Sequence, residues 1–440
     1  MAEARPAGAA ARPDRLRPAQ AAEARVRPER AAQPRQEALS SFGALRERQF
    51  RLLFTGQIVS LLGDALATVA LAFAVLDLTG SATDLGYVLA AKMVPLVAFL
   101  LVGGVFADRL PRRGVMVGAD VARLCSQGTV ALLVLTHHAE VWELVVLQAI
   151  TGTATAFFNP ASTGLTPMTV SAERLQQANA LRGLAMASTG ILGSALSGVL
   201  VVTVGAGWAL AVDASTFAAS AIVLAQLRLP PHVGLPRQSF TRDLLEGWEE
   251  VVSRTWVWVV VVLAALGNAA GSIFNVLGVV VAKEDLGGAG AWAAIVATGG
   301  LGSLIGGTVA LRIEPRRPLA FGAAAFTGYS LPIILLALHA PVELIAAGAL
   351  FAGAGAMIFN ALWETTLQRH IPAAALSRVS AYDWFGSLAF APLGMVLAGP
   401  LAAAIGTSAA LWVAAAVVLS ESLVALSIPS IRRLPPRPRA

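Results

Sequence analysis

An aspartate stands at position 64 inside a run of leucine, valine and alanine. At about 100° per residue, Gln57, Ser60, Asp64 and Thr68 share one face of a helix whose other faces are apolar. At the centre of a membrane helix an ionisable side chain costs ~2.5–3.5 kcal/mol on insertion scales, so it needs a partner or a water-filled cavity. Two readings of Asp64 are open: a carboxylate that takes and releases a proton, and a structural carboxylate permanently paired with a neighbouring helix. Lys92, one of only two lysines, is either its counter-charge or a side chain that snorkels outward on its apolar stem; beside a carboxylate it would add a second titrating site. Asn268, Ser272 and Asn275 repeat the same helical spacing, and Thr155, Asn159, Ser162 and Thr166 form a third stripe. As a set these line a central cavity; taken singly, each is an interhelical hydrogen-bonding residue worth ~0.6 kcal/mol.

The elements that would carry these residues are membrane spans. Of 440 residues 56% are hydrophobic and only 13% charged, with a mean hydropathy of +0.70, whereas a soluble domain needs roughly 25% charged residues to cover its surface. A soluble enzyme and a nucleic-acid-binding module are excluded on that ground, and the single Cys125 permits no internal disulfide or cysteine metal cage. Segments of about 20 apolar residues fall near 52–78, 84–107, 115–136, 141–166, 175–203 and 207–227. After a polar stretch, six more fall near 255–282, 290–311, 318–338, 342–366, 376–402 and 407–428. The expected architecture is an all-α membrane protein of twelve transmembrane helices in two six-helix repeats. Its divisions are a disordered Arg/Ala/Pro-rich tail at 1–40, an N-terminal half at 41–227, a central loop at 228–254, a C-terminal half at 255–428 and a tail at 429–440. The formal charge of +6 is mostly in the first 51 residues, where eleven arginines face six acids. A solvated tail that helps set topology accounts for it, although arginine-rich tails also bind nucleic acid or anionic lipid. In the short loops, arginines gather on one side and acids, histidines and Lys283 on the other, which puts both termini in the cytoplasm.

An internal repeat agrees with this division. Gly152-x5-Phe158-Asn159 recurs as Gly353-x5-Phe359-Asn360, and Gly104 with Arg109, Arg112 and Arg113 recurs as Gly307 with Arg312, Arg316 and Arg317. Parallel six-helix repeats with a site between them are a transporter architecture.

Gly104-Val-Phe-Ala-Asp108-Arg109-Leu-Pro-Arg112-Arg113 resembles the loop signature between spans two and three of the major facilitator superfamily. Phe50-Arg51-Leu-Leu-Phe-Thr-Gly56-Gln57, Leu62-Gly63-Asp64, Phe158-Asn159-Pro160, Gln177-Ala-Asn179-Ala-Leu181, Trp363-Glu-Thr-Thr-Leu-Gln368-Arg369 and Arg378-Val-Ser resemble its enterobactin-exporter and macrolide-efflux branch. The likeness runs from about residue 42 to 428. It implies a major facilitator fold and multidrug-type efflux of a hydrophobic drug or siderophore-like compound by proton antiport at the cell membrane. It also implies a cytoplasmic gate of Gly104, Asp108, Arg109, Arg112 and Arg113, with Asp108 facing the start of span eleven and Arg109 paired to an acid. Asp120, Arg123 and Asp383 are candidate members of that network. Asp213 is read as a packing residue. The chain departs from the family where Ser194 and Ser197 replace a proline and a glycine of the span-five antiporter motif, where Leu311 stands near the aspartate of the second loop copy, and where the span-four arginine is missing.

Neither lysine lies in a phosphate-binding Gly-x4-Gly-Lys motif, so the chain is not itself a P-loop ATPase subunit and transport would draw on an ion gradient. His137-His138-x-Glu140 lacks zinc-helix spacing, and no nucleophile and base stand at telling separations. The expectation is a non-enzyme without metal or cofactor. Its partners would be a small-molecule substrate, protons and the lipid bilayer, with no nucleic acid, and a monomer would suffice. A nutrient facilitator or importer and a non-transporting membrane sensor are the alternatives.

Overall fold

The structure is a computed structural model and describes residues 43–171, 174–229 and 240–435; the side chains of 100–109, 176, 180, 240–244, 373, 374 and 377 also lie outside the described set. The expected disordered segment 1–40 falls outside it. Twelve helices are long and apolar enough to cross a membrane. Spans 1 to 6 are Arg48–Thr79, Ala82–Arg109, Arg112–Leu135, Val141–Thr169, Leu175–Val204 and Ala206–Ala225. Spans 7 to 12 are Thr255–Asp285, Ala289–Ala310, Pro318–Ala337, Val342–His370, Arg378–Ile405 and Thr407–Ser427. The chain is a multi-pass membrane protein with twelve spans among the described residues.

The repeat is visible in the packing. A Cβ on Gly152 of span 4 would lie 2.0 Å from the Lys92 carbonyl oxygen of span 2, and one on Gly353 of span 10 would lie 1.9 Å from the Gly299 carbonyl oxygen of span 8. The glycines matched in sequence thus make the same backbone contact in each half, and the absent side chain is what permits it.

Spans 9 and 11, expected as continuous segments, are each interrupted. Span 9 passes through a 3-10 turn at Thr327–Tyr329, and span 11 breaks between Leu388 and Ala391. A proline ring clashes with the carbonyl four residues back; for Pro332 that is Gly328 and for Pro392 it is Leu388, the two points of interruption. Within the polar stretch at 228–254, Phe240–Val252 forms a helix. It packs on the start of span 11, with Trp248 tilted against Tyr382 at 5.8 Å and Glu246 paired to Arg378 at 3.6 Å.

The two halves meet tightly at the arginine-poor face. A Cβ on Gly399 of span 11 would lie 2.4 Å from the backbone nitrogen of Thr83, one on Gly86 of span 2 would lie 2.2 Å from the Met395 carbonyl, and one on Gly198 of span 5 would lie 2.4 Å from Ala293 Cβ of span 8. Lys283 at the end of span 7 closes on Asp77 at the end of span 1, 2.6 Å apart. Towards the opposite, arginine-rich face, spans 5, 8 and 10 separate into a cleft of about 710 Å³ lined largely by apolar side chains such as Leu184, Leu304, Met357 and Leu362. Among the described residues, the two halves touch at one face, and a cleft stands between spans 5, 8 and 10 at the other.

Candidate functional site

Span 1 carries its polar stripe into the N-terminal half. Asp64 accepts a hydrogen bond from Lys92 Nζ at 3.0 Å on Oδ1, and Arg123 Nη1 lies 3.4 Å from Oδ2. Lys92 is therefore the counter-charge of Asp64 rather than a snorkelling side chain. Its position follows from Gly152, which brings spans 2 and 4 to backbone contact at Lys92 itself.

Arg123 and Asp120 need a correction. The sequence suggested them for the gate, but Arg123 is eleven residues into span 3, about 16 Å along a helix, and it joins the Asp64 cluster. Its guanidinium bonds Asp120 Oδ1, reaches Asp64, and lies between the rings of Phe158 and Phe217 at 4.2 and 4.5 Å. Asp120 is completed by Ser220 of span 6, which donates to Oδ2 at 2.6 Å. A buried ion pair is held best when its hydrogen-bonding positions are filled and its faces covered; here Arg123 Nε is left without a partner. Both acid and base are almost fully buried here.

Asp213, completely buried, extends the cluster. Gln148 donates to Gln127 Oε1 at 2.8 Å, and Gln127 donates to Asp213 Oδ2 at 2.8 Å. Nearer the arginine-rich face, Gln57 donates to Ser162, while Arg182 donates to Thr166 at 2.7 Å and to Ser162 at 3.3 Å. Gln127, Gln148 and Arg182 were not singled out from sequence. For Arg182 the signal was present, a charge within an apolar span; the glutamines carry no charge and gave none.

The expected cavity residues divide by environment. Gln57, Ser60 and Ser272 are buried among helices, whereas Thr68, Asn159, Asn268 and Asn275 are exposed. Thr68 and Ser272 return their hydroxyls to the Asp64 and Asn268 carbonyls at 2.8 Å, and Asn268 donates to the Ser387 carbonyl of span 11 at 3.0 Å.

Of the gate residues, Gly104, Asp108 and Arg109 lie on the helical backbone of span 2 but have side chains outside the described set. Arg112 donates to the Gly164 carbonyl of span 4 at 2.6 Å, and Arg113 to the carbonyl of Ala225, the last residue of span 6. Cations are favoured at helix C-termini, where carbonyls lack intrahelical partners. Asp383 is held within its own half, accepting from Trp363 Nε1 at 3.0 Å. Among the described residues no cluster of His, Cys, Asp and Glu is arranged to hold a metal ion.

Two six-helix repeats, one of them holding a charged cluster inside the membrane, define a secondary transporter of small molecules, a class of carriers rather than enzymes. The chain belongs to the Major Facilitator Superfamily, whose family model matches residues 53–391. It is 28% identical over 393 residues to the multidrug efflux pump Tap of Mycolicibacterium fortuitum, covering 84% of this chain and 93% of that protein. It is 23% identical to macrolide efflux protein A of Streptococcus pyogenes, with 88% and 97% covered. Among solved structures, the nucleoside transporter NupG superposes with a TM-score of 0.66 at 14% identity, covering 85% of this chain and 98% of that one. A POT family transporter in complex with 5-aminolevulinic acid superposes with a TM-score of 0.68 at 12% identity, with 87% and 96% covered. These two share the fold.

Proposed function

We propose that this protein is a proton-coupled exporter of hydrophobic, drug-like or siderophore-like small molecules that works by alternating access. The observation that carries the proposal is the Asp64–Lys92–Arg123 cluster inside the membrane: a carboxylate held by cations from two other spans makes a bond that protonation weakens, and weakening it frees span 1 to move against spans 2 and 3. The names of its relatives, a multidrug efflux pump and a macrolide efflux protein, support efflux. The apolar cleft of about 710 Å³ suits a largely hydrophobic solute.

In this reading both termini are cytoplasmic, since Arg112, Arg113, Arg174, Arg228, Arg312 and Arg369 all stand at one face. The described arrangement is then open to the cytoplasm, with Lys283 and Asp77 sealing the outside. Asp64 and Lys92 couple proton to substrate. Gln57, Ser60, Thr68, Asn159, Asn268, Ser272 and Asn275 serve the transport path, and Gly104, Asp108, Arg109, Arg112, Arg113 and Asp383 serve the cytoplasmic gate. A single copy in the plasma membrane is sufficient.

The test is efflux of ethidium, a fluorescent lipophilic cation, from cells expressing the protein, with and without a protonophore. Extrusion that collapses with the proton gradient is expected. Accumulation inside the cells would indicate import, and extrusion unaffected by the protonophore would remove the proton from the mechanism.

A further inference from the structure

The charged groups around Asp64 do not balance. Three carboxyl groups, Asp64, Asp120 and Asp213, stand with two cations, Lys92 and Arg123. Asp64 touches both cations and Asp120 is bonded to Arg123 and Ser220. Asp213 touches neither. It is fully buried, its Oδ2 accepts from the Gln127 amide, and its Oδ1 has no hydrogen-bond partner. The charged groups whose fields reach it are Asp64 from span 1 and Lys92 and Arg123 from spans 2 and 3. Span 5, which also packs on span 6, brings Arg182 as its titratable group, engaged with Thr166 and Ser162.

The two oxygens of Asp213 differ in their partners. Gln127 spends its carbonyl on the Gln148 amide, so its own N–H points at Asp213 and Oδ2 acts as the acceptor. That leaves Oδ1, which packs against span 1: a Cβ on Gly63, the residue before Asp64, would lie 2.6 Å from it. An unpaired carboxylate is among the costliest groups to bury in a low-dielectric interior, whereas a neutral carboxyl with one satisfied oxygen is tolerated.

We infer that Asp213 is a proton-binding site of this transporter, neutral in the arrangement described, with its proton on Oδ1 beside span 1. The transport part of this inference rests on the proton-coupled reading; the protonation itself does not.

Infrared difference spectroscopy of the full-length protein in lipid nanodiscs near neutral pH tests it. The difference between wild type and Asp213→Asn is expected to contain the C=O stretching band of a protonated carboxyl group, moved by exchange into D2O. Asp213→Glu should shift that band and Gln127→Leu should raise its frequency by removing the hydrogen bond to Oδ2, so a folding failure of one variant leaves the others to decide. A wild-type spectrum whose protonated-carboxyl bands are untouched by all three substitutions would overturn the assignment. Ethidium efflux indifferent to a protonophore, in a protein that shows the band, would instead sink the coupling and leave the site.

Discussion

The guanidinium of Arg123 touches two carboxylates and two aromatic faces at once. A planar fork does this; the point charge of lysine does not. Removing one partner of a buried pair costs about 3–5 kcal/mol, because the other charge stays buried. Arg123→Lys, which keeps the charge and loses the fork, should therefore lower the thermal unfolding midpoint in detergent, and Arg123→Leu should lower it further by stranding Asp120. An unchanged midpoint in both would contradict the assignment. At this scale the sequence showed part of the site. A carboxylate in an apolar run stands out against its helical stripe, so Asp64 was legible, and Lys92 was noticed because lysine is so rare here. Asp213 was visible but read as packing. Its partner Gln127 lies 86 residues away, and helical periodicity says nothing about which faces of distant helices meet. Arg123 is a charged residue of span 3 and so a candidate for the gate network, but depth along the helix decides its place.

The helices that hold the cluster are spaced by their glycines. Gly152 is the contact through which span 4 sets the height of Lys92 on span 2. Gly152→Ala would put a methyl group 2.0 Å from the Lys92 carbonyl, which is backbone and cannot rotate away. Overpacking of this kind costs about 1–3 kcal/mol, and here the strain displaces the Lys92–Asp64 pair. Gly152→Ala should lower both the unfolding midpoint and the rate of ethidium efflux, while Gly114→Ala, where a Cβ meets nothing within 4 Å, should leave the packing undisturbed. Equal behaviour of the two variants would contradict the spacing role. Twelve spans and the repeat were legible because hydropathy and matched glycines are local signals. Hydropathy does not register the interruptions of spans 9 and 11, because it counts Pro332 and Pro392 without their geometry. The charges of the helix Phe240–Val252 hide its apolar positions Trp248 and Val251, three residues apart, and spans 7 and 11 give them something to cover.

Taken whole, the molecule is sealed at the face of Asp77 and Lys283 and cleft at the arginine-rich face, with the charged cluster inside one half. A carrier of this shape moves solute uphill only if a second equilibrium biases which face is open, and a ligand shifts that equilibrium only as far as it binds one state better than the other. The proton is that ligand in the proposed mechanism, and breaking the Asp64 pairs is its differential contact. The direct measurement is ethidium transport in proteoliposomes of the purified protein, driven by an imposed pH gradient alone, for wild type and Asp64→Asn. Wild type should concentrate ethidium against its own gradient and lose that ability when the pH difference is abolished. Asp64→Asn, folded and reconstituted equally well, should at most equilibrate it. Uphill transport by Asp64→Asn equal to that of wild type would contradict the mechanism.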